Sequence, residues 1–247
     1  MCWPNLLEGQ GGQSPIFYNL LVAIAANLLA KRGAARYRTA APAMFVIGLA
    51  LQIKYSVVFE GVFFGLWCMA SRWKAERRVS SVLTFGAALA GLALIPTVAA
   101  ALFYARIGRF DEFWFANVTA ITLRHANPVI NQYTDLLGMV AILSPLLSMC
   151  ALVFAGMRKQ GFAEAQTFAF GWLFSSIFGV LVFGTWFLHY ALPILVPAAV
   201  CASGIIDRSK EARRWASICL LAVIIGGQLL LTLKMVGRGT ARQCGGQ

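Results

Sequence analysis

Charge is what this chain has least of. Asp, Glu, Lys and Arg make up 12% of its 247 residues, with nine acids and two histidines among them and beside them. A soluble domain of this length carries about twice that charged fraction, so an ordinary water-soluble fold is excluded. The six cysteines, at positions 2, 68, 150, 201, 219 and 244, form no Cys-x-x-Cys pair and no metal-ligand spacing. Four of them lie in apolar segments, where a thiol packs as a small hydrophobe. Gly9-Gln-Gly-Gly12 lacks a following Gly-Lys-Ser/Thr, which removes a phosphate loop. Residues 1–13 are polar and glycine-rich, with neither a basic n-region nor an apolar h-region. No internal repeat is visible, which counts against the repeat-built transporters.

What is there is apolar. Hydrophobic residues reach 60%, and the mean hydropathy is +0.73. Eight apolar runs follow one another, at 15–30, 41–53, 55–70, 79–105, 134–157, 162–188, 190–206 and 215–236. They predict an all-α, polytopic transmembrane helix bundle, with residues 1–247 forming a single transmembrane domain. The net charge of +12 would point to nucleic acid in a soluble protein. Here the positive-inside rule explains it, and no nucleic-acid partner is expected. Fourteen of the 21 Lys and Arg fall in alternate loops: Lys31, Arg32, Arg36 and Arg38; Arg72, Lys74, Arg77 and Arg78; Arg158 and Lys159; Arg208, Lys210, Arg213 and Arg214. The other seven are Lys54, Arg106, Arg109, Arg124, Lys234, Arg238 and Arg242. This bias orients the chain with both termini and Lys54 on the outer side.

Lys54 stands alone between two apolar runs. At about 1.5 Å per residue these are about 20 Å and about 24 Å long, short for a hydrocarbon core of about 30 Å. They predict a short helical hairpin with Lys54 at its tip and Gln52, Tyr55 and Glu60 nearby. A charge left in lipid costs about 2.5–3.5 kcal/mol or more. Lys54 must therefore snorkel to a surface, pair with an acid or face an anionic ligand. The loop 106–133 interleaves Phe110, Phe113, Trp114 and Phe115 with Asp111, Glu112 and Asn117, ahead of Arg124, His125, Asn127 and Pro128. Aromatics with polar tips settle at headgroup level, so residues 108–124 predict a helix lying in the interface. Asn117-Val-Thr119 matches a glycosylation sequon, a triplet common by chance. His189 and Tyr190 precede Pro193 and Pro197, neither of which can donate to the carbonyl four residues back. A bent first turn at the outer boundary follows, read either as an ordinary kinked helix or as a polar ligand site. Gly61-Val-Phe-Phe-Gly65 is a GxxxG and reads as close helix packing.

Three stretches together resemble one family. They are Gly11-Gly-Gln-Ser-Pro-Ile-Phe-Tyr-Asn-Leu-Leu-Val-Ala, the run from Gly48 to Glu60 with its Lys54-Tyr55, and His189-Tyr190 followed by Leu-Pro and a second Pro. The outer-loop stretch Phe113-Trp-Phe-Ala-Asn-Val-Thr-Ala fits the same pattern. The chain resembles the membrane glycosyltransferases of the GT-C superfamily, and most of all bacterial relatives of protein O-mannosyltransferase and lipid A aminoarabinose transferase. The likeness spans nearly all of this chain but about the second half of a usual family member.

The resemblance implies transfer of a sugar from a polyprenyl-phosphate carrier to a lipid, glycan or protein acceptor at the outer face of a bacterial inner membrane. It implies no cofactor, and leaves any divalent metal open. Lys54, Tyr55, Arg124, His125, His189 and Tyr190 would meet the carrier phosphate, since a leaving phosphate needs cations and donors aimed at it. A carboxylate would remove the acceptor's proton. Glu76, Glu164, Asp207 and Glu211 fall on the inner side, which leaves Glu8, Glu60, Asp111, Glu112 and Asp135, with Asp111 and Glu112 the best-fixed candidates. The family's catalytic acid usually sits in a first outer loop behind a leading helix, and residues 1–13 offer neither. A further acid that often precedes Phe-Tyr-Asn-Leu is replaced by Pro15. The expectation is an N-terminally truncated module that binds carrier but does not transfer by itself. A transporter or flippase of a lipid-linked or anionic substrate is the main competing reading, and a ligand-free assembly subunit the other.

Overall fold

The chain stops being helical at Lys54. In the computed structural model, which describes residues 13–120, 123, 129–161, 163–182, 187–204, 214, 215 and 218, α1 (Ser14–Arg32) and α2 (Tyr37–Ile53) come first. Lys54 then adopts an extended backbone (φ −158°, ψ 131°), and a single 3-10 turn, Tyr55–Val57, leads into α3 (Val58–Glu76). After α4 (Val79–Arg106) come the short α5 (Phe110–Trp114) and a π-helical turn, Phe115–Thr119. Next are α6 (Val129–Gln160), α7 (Glu164–Val182), a 3-10 turn at Leu188–Ala191 and α8 (Leu192–Ser203). The described residues are all-helical, with no strand among them. Most of the expected segment at 215–236 lies outside the described residues, as do Glu8, Arg124, His125, Asp207 and Glu211.

Three helices are long and apolar enough to cross a membrane: Val79–Arg106, Tyr133–Arg158 and Glu164–Val182. Ser14–Ala30, Tyr37–Ile53 and Leu188–Ser203 are apolar but shorter. The surface agrees with a membrane protein. On α4, Phe85, Leu89 and Ala93 are buried, while Leu83, Leu94, Val98 and Leu102 are each more than half exposed. Large apolar patches of this kind are rare on soluble monomers, and lipid is the solvent that accepts them. Of the expected run 162–188, α7 covers Glu164–Val182, while Phe187 is extended and Leu188 opens the 3-10 turn. α3 runs on to Glu76, past the apolar run, where an i,i+4 pair of Arg72 and Glu76 at 2.7 Å supports its last turn.

Helix ends alternate between the two ends of the bundle. At one end, Arg72 donates to the Ala35 carbonyl (3.3 Å) and lies over the Phe85 ring (5.4 Å), which joins the α1–α2 turn to the α3–α4 turn. Arg36, Arg38, Lys74, Arg77 and Arg78 are exposed there. The start of α1, the end of α2, the start of α3, the end of α7 and the start of α8 meet at the other end. Two contacts set this arrangement. α2 and α4 touch backbone to backbone at Gly48, where an added Cβ would stand 2.3 Å from the Ala93 carbonyl oxygen. α3 returns beside α2, with Gly61 against Ile47 and Gly65 against Met44, so the GxxxG is a packing surface as expected. α3 also runs antiparallel to α7. Ser175 donates to the Phe59 carbonyl (2.7 Å), and Phe63, Phe64 and Trp67 interlock with Phe168.

Gly48→Ala should therefore destabilise the protein despite alanine's better helix propensity. Overpacking of this kind costs about 1–3 kcal/mol. Gly91→Ala, with nothing within 4 Å of its Cβ, should be neutral or stabilising by up to about 1 kcal/mol. Thermal unfolding of both variants in detergent measures the contrast, and equal stability would contradict the α2–α4 contact.

Candidate functional site

A cavity of about 550 Å³ opens where those helix ends converge. That volume lies within the usual range for small-molecule sites. Its wall is assembled from separate parts of the chain: Gln13 with Ser14 and Tyr18 of α1; Gln52 to Ser56; Glu60 of α3; Ser175, Ser176, Gly179 and Val180 of α7; and His189, Tyr190 and Pro193. Ala116 and Ala120 close it from the loop after α4.

Lys54 is held in the wall by the break in the backbone. Its N–H still donates to the Ala50 carbonyl (3.2 Å), as in a continuing helix, and its own carbonyl accepts from Val57 (3.3 Å). Both main-chain groups are thus satisfied, and the change of direction needs neither glycine nor proline. The side chain lies over the ring of Tyr190, with Nζ 4.1 Å from the ring centroid. A cation over an aromatic face gains about 0.5–2 kcal/mol, more when water is excluded. Tyr190 is packed in turn by His189 (centroids 4.7 Å, edge-on) and Phe187 (5.5 Å), and Phe187 stacks on His189 at an 11° angle. The 3-10 turn Leu188–Ala191 presents this aromatic set. Pro193 falls in the first turn of α8, where its missing N–H costs nothing. Asn19 of α1 donates to the Leu192 carbonyl (3.0 Å) and anchors that turn.

Tyr55, in the same wall, donates its hydroxyl to the side-chain oxygen of Asn117. Asn117 also donates to the Phe113 carbonyl (2.6 Å). The half-buried sequon asparagine is thus bonded on both its oxygen and its nitrogen, and its side chain ties the loop after α4 to Tyr55. π-helical turns are rare and recur at functional sites, and this one carries Ala116 into the wall.

The acid at the cavity is Glu60. It is 3% exposed, and among the described residues it is the buried acid. Ser176 of α7 donates to its Oε1 at 3.0 Å. Tyr18, fully buried, lies in the same wall with its hydroxyl 3.4 Å from that of Ser56. Gln52 bonds Thr97 of α4 (2.8 Å) and the Gly48 carbonyl (3.2 Å), which fixes the last turn of α2.

Of the residues expected at a site, Lys54, Tyr55, His189 and Tyr190 are brought together in this wall. Asp111 and Glu112 are not part of it. Both are exposed on α5, and Glu112 is paired with Arg109 at 2.8 Å one helical turn away. An acid that close to its own arginine, on a helix facing outward, satisfies its charge locally. Asp135 is half-buried near the start of α6 and does not line the cavity either. Arg124 and His125 lie outside the described residues. Glu60 stood among the five acids the sequence left open. The available signal was its position six residues after Lys54, in the middle of an apolar run. Ser176 gave no signal of its own, because nothing local distinguishes it from other polar residues in apolar helices, and Tyr18 entered only as part of the Phe-Tyr-Asn-Leu stretch, with no role assigned to it. Among the described residues no group of His, Cys, Asp and Glu is arranged to hold a metal.

Compared with family models, curated proteins and solved structures, the chain matches none.

A buried carboxylate that loses its donor is left with an unmet hydrogen-bonding demand, at a cost of about 1–3 kcal/mol. Ser176→Ala should lower stability by that amount in thermal unfolding. Ser175→Ala, which frees a backbone carbonyl at a half-buried position, should cost less. Wild-type stability in Ser176→Ala would mean that the Glu60–Ser176 bond contributes nothing to the fold.

Proposed function

We propose that this chain binds the phosphate end of a polyprenyl-phosphate sugar and forms part of a membrane glycosyltransferase of the GT-C kind. The observation that carries the reading is the convergence of Lys54, His189 and Tyr190, from helix ends about 135 residues apart in sequence, in one cavity wall beside a buried carboxylate. A cation, an imidazole and a phenol are the donors that a phosphate monoester or diester requires, and charge-assisted bonds of this type are roughly twice as strong as neutral ones. The apolar flanks of α1, α3 and α7 offer a lipid-facing surface for the prenyl chain, since Phe17, Leu20, Val62 and Phe174 are each more than half exposed. On this reading the eight apolar runs are membrane segments, those on either side of Lys54 forming the short pair. The loop around Phe110–Thr119 lies at the interface, and the cavity faces outward across a bacterial inner membrane.

Topology supplies the first test. The lysine- and arginine-rich turns that meet around Arg72 support an inner location for that end. Single cysteines at positions 125 and 189 should react with an impermeant maleimide in intact cells, and those at 36 and 210 only after permeabilisation. The opposite pattern would turn the cavity to the cytoplasm and remove an outer-leaflet donor.

Ligand binding supplies the second. Lys54→Ala and His189→Ala should each weaken binding of a short-chain polyprenyl-phosphate hexose about ten- to a hundred-fold, the loss of one charge-assisted bond of about 1.5–3 kcal/mol. Lys54→Arg should keep part of the affinity, because it keeps the charge but not the shape. Unchanged affinity in both alanine variants, with wild-type thermal stability, would return Lys54 to a lysine that only snorkels to the surface.

A further inference from the structure

An ionisable group inside an apolar bundle is costly, and it persists where it is used. Glu60 is such a group. It sits in the first turn of α3 among Phe59, Phe63 and Phe64, 3% exposed, and it lines the same cavity as Lys54 and His189. We propose that Glu60 is the base of the site, taking the proton from the hydroxyl that attacks the sugar. This assignment rests on the carrier-binding reading above and names the group which that reading leaves open.

Three features of its setting fit the role. First, the carboxylate is fixed at both ends. Its backbone is held by the 3-10 turn that follows Lys54 and by the Ser175 bond to the Phe59 carbonyl next to it, and its Oε1 is held by Ser176. A base must be held within hydrogen-bond reach of the proton it takes, and Glu60 is tied on two helices rather than on an exposed loop. Second, a carboxylate has about four acceptor positions, of which Ser176 occupies one and the neighbouring Trp172 indole at most another, so the group can accept a substrate proton without giving up its anchor. Third, Lys54 and Glu60 leave the two ends of the same interruption, the lysine from its extended residue and the acid from the first turn after it. Phosphate on the lysine thereby puts the anomeric carbon of a carrier-linked sugar into the cavity that Glu60 lines.

The step balances without any further reagent. The acceptor oxygen forms a bond to the anomeric carbon as the bond from that carbon to the phosphate oxygen breaks. The acceptor's proton passes to the Glu60 carboxylate, and the electron pair of the broken bond leaves with the polyprenyl phosphate, whose added charge is met by Lys54. Water serves as the simplest acceptor, with free sugar as the product. The family resemblance led to an expectation of binding without transfer, because the acid it calls for in a first outer loop has no counterpart in residues 1–13; Glu60 supplies a base from α3 instead.

The test uses the full chain in vesicles of bacterial polar lipid, with a short-chain polyprenyl-phosphate hexose labelled in the sugar. Binding and the release of label from the carrier, to water or to lipid, are measured separately. Glu60→Gln keeps the size of the side chain and an acceptor for Ser176, so it should bind the donor within about threefold of wild type and release label at least a hundredfold more slowly. Glu60→Ala should regain part of its rate in sodium formate, whereas a merely structural role would not respond to formate. No binding by the wild-type chain would overturn the carrier reading itself. Binding without release by wild type, release by Glu60→Gln at the wild-type rate, or loss of release in Asp111→Asn with Glu60→Gln unaffected would each leave the carrier reading standing and overturn the assignment of Glu60.

Discussion

The helical run from α2 to α3 is interrupted at Lys54, and the candidate site is built around that interruption. The α2 helix ends on Lys54, whose extended backbone hands both of its main-chain groups to neighbouring turns and frees the side chain to lie over Tyr190. Everything in the candidate site is placed from that point. Tyr55 reaches outward to Asn117 and ties the loop after α4. Glu60 enters α3 one turn later and finds Ser176 on α7. The turn before α8 supplies the aromatic face on which the ammonium rests. Without the interruption, α2 and α3 would continue as one helix, and Lys54, Tyr55 and Glu60 would spread along different faces at 100° per residue.

Burial within lipid gives little gain from the hydrophobic effect, so the bundle coheres by close fit and a few polar ties. Gly48 lets α2 meet the backbone of α4, and Gly61 lets α3 meet Ile47. The aromatic cluster of Phe63, Phe64, Trp67, Phe168 and Trp172 fills the α3–α7 contact with edge-on and tilted ring pairs at 5.2 to 6.2 Å. Two serines on α7 then fix register, one to the Phe59 carbonyl and one to the Glu60 carboxylate. This packing holds the site rigid at one end while the outer faces of α4 and α6 remain apolar and exposed.

Much of this was legible before any coordinates. Among the described residues the apolar runs located the helices, because long hydrophobic stretches have few other uses. Alternating loops of lysine and arginine placed Lys54 and His189 at the same end, and that is where they meet. The proline spacing after Tyr190 located the bent entry to α8. Side-chain direction was not legible. Asp111 and Glu112 looked well placed because they sit in the longest loop among aromatics, yet that setting left them exposed, with Glu112 satisfied by Arg109. Glu60 looked unremarkable because its partner, Ser176, is 116 residues away, and only the antiparallel pairing of α3 with α7 brings them together. Helix ends were blurred for the same reason. Composition marks where lipid is tolerated, whereas hydrogen bonds such as that of Arg72 with Glu76 decide where the helix stops.

The central claim is that one cavity, walled by the Lys54 interruption and the His189–Tyr190 turn, receives a lipid-linked phosphate. The most direct measurement is photo-crosslinking of a polyprenyl phosphate carrying a diazirine next to its phosphate, followed by mass spectrometry of the labelled peptides. The account predicts adducts concentrated on residues 52–60 and 187–193, abolished by excess unlabelled polyprenyl phosphate. Adducts spread over the exposed faces of α4 and α6, and unaffected by that competitor, would contradict it.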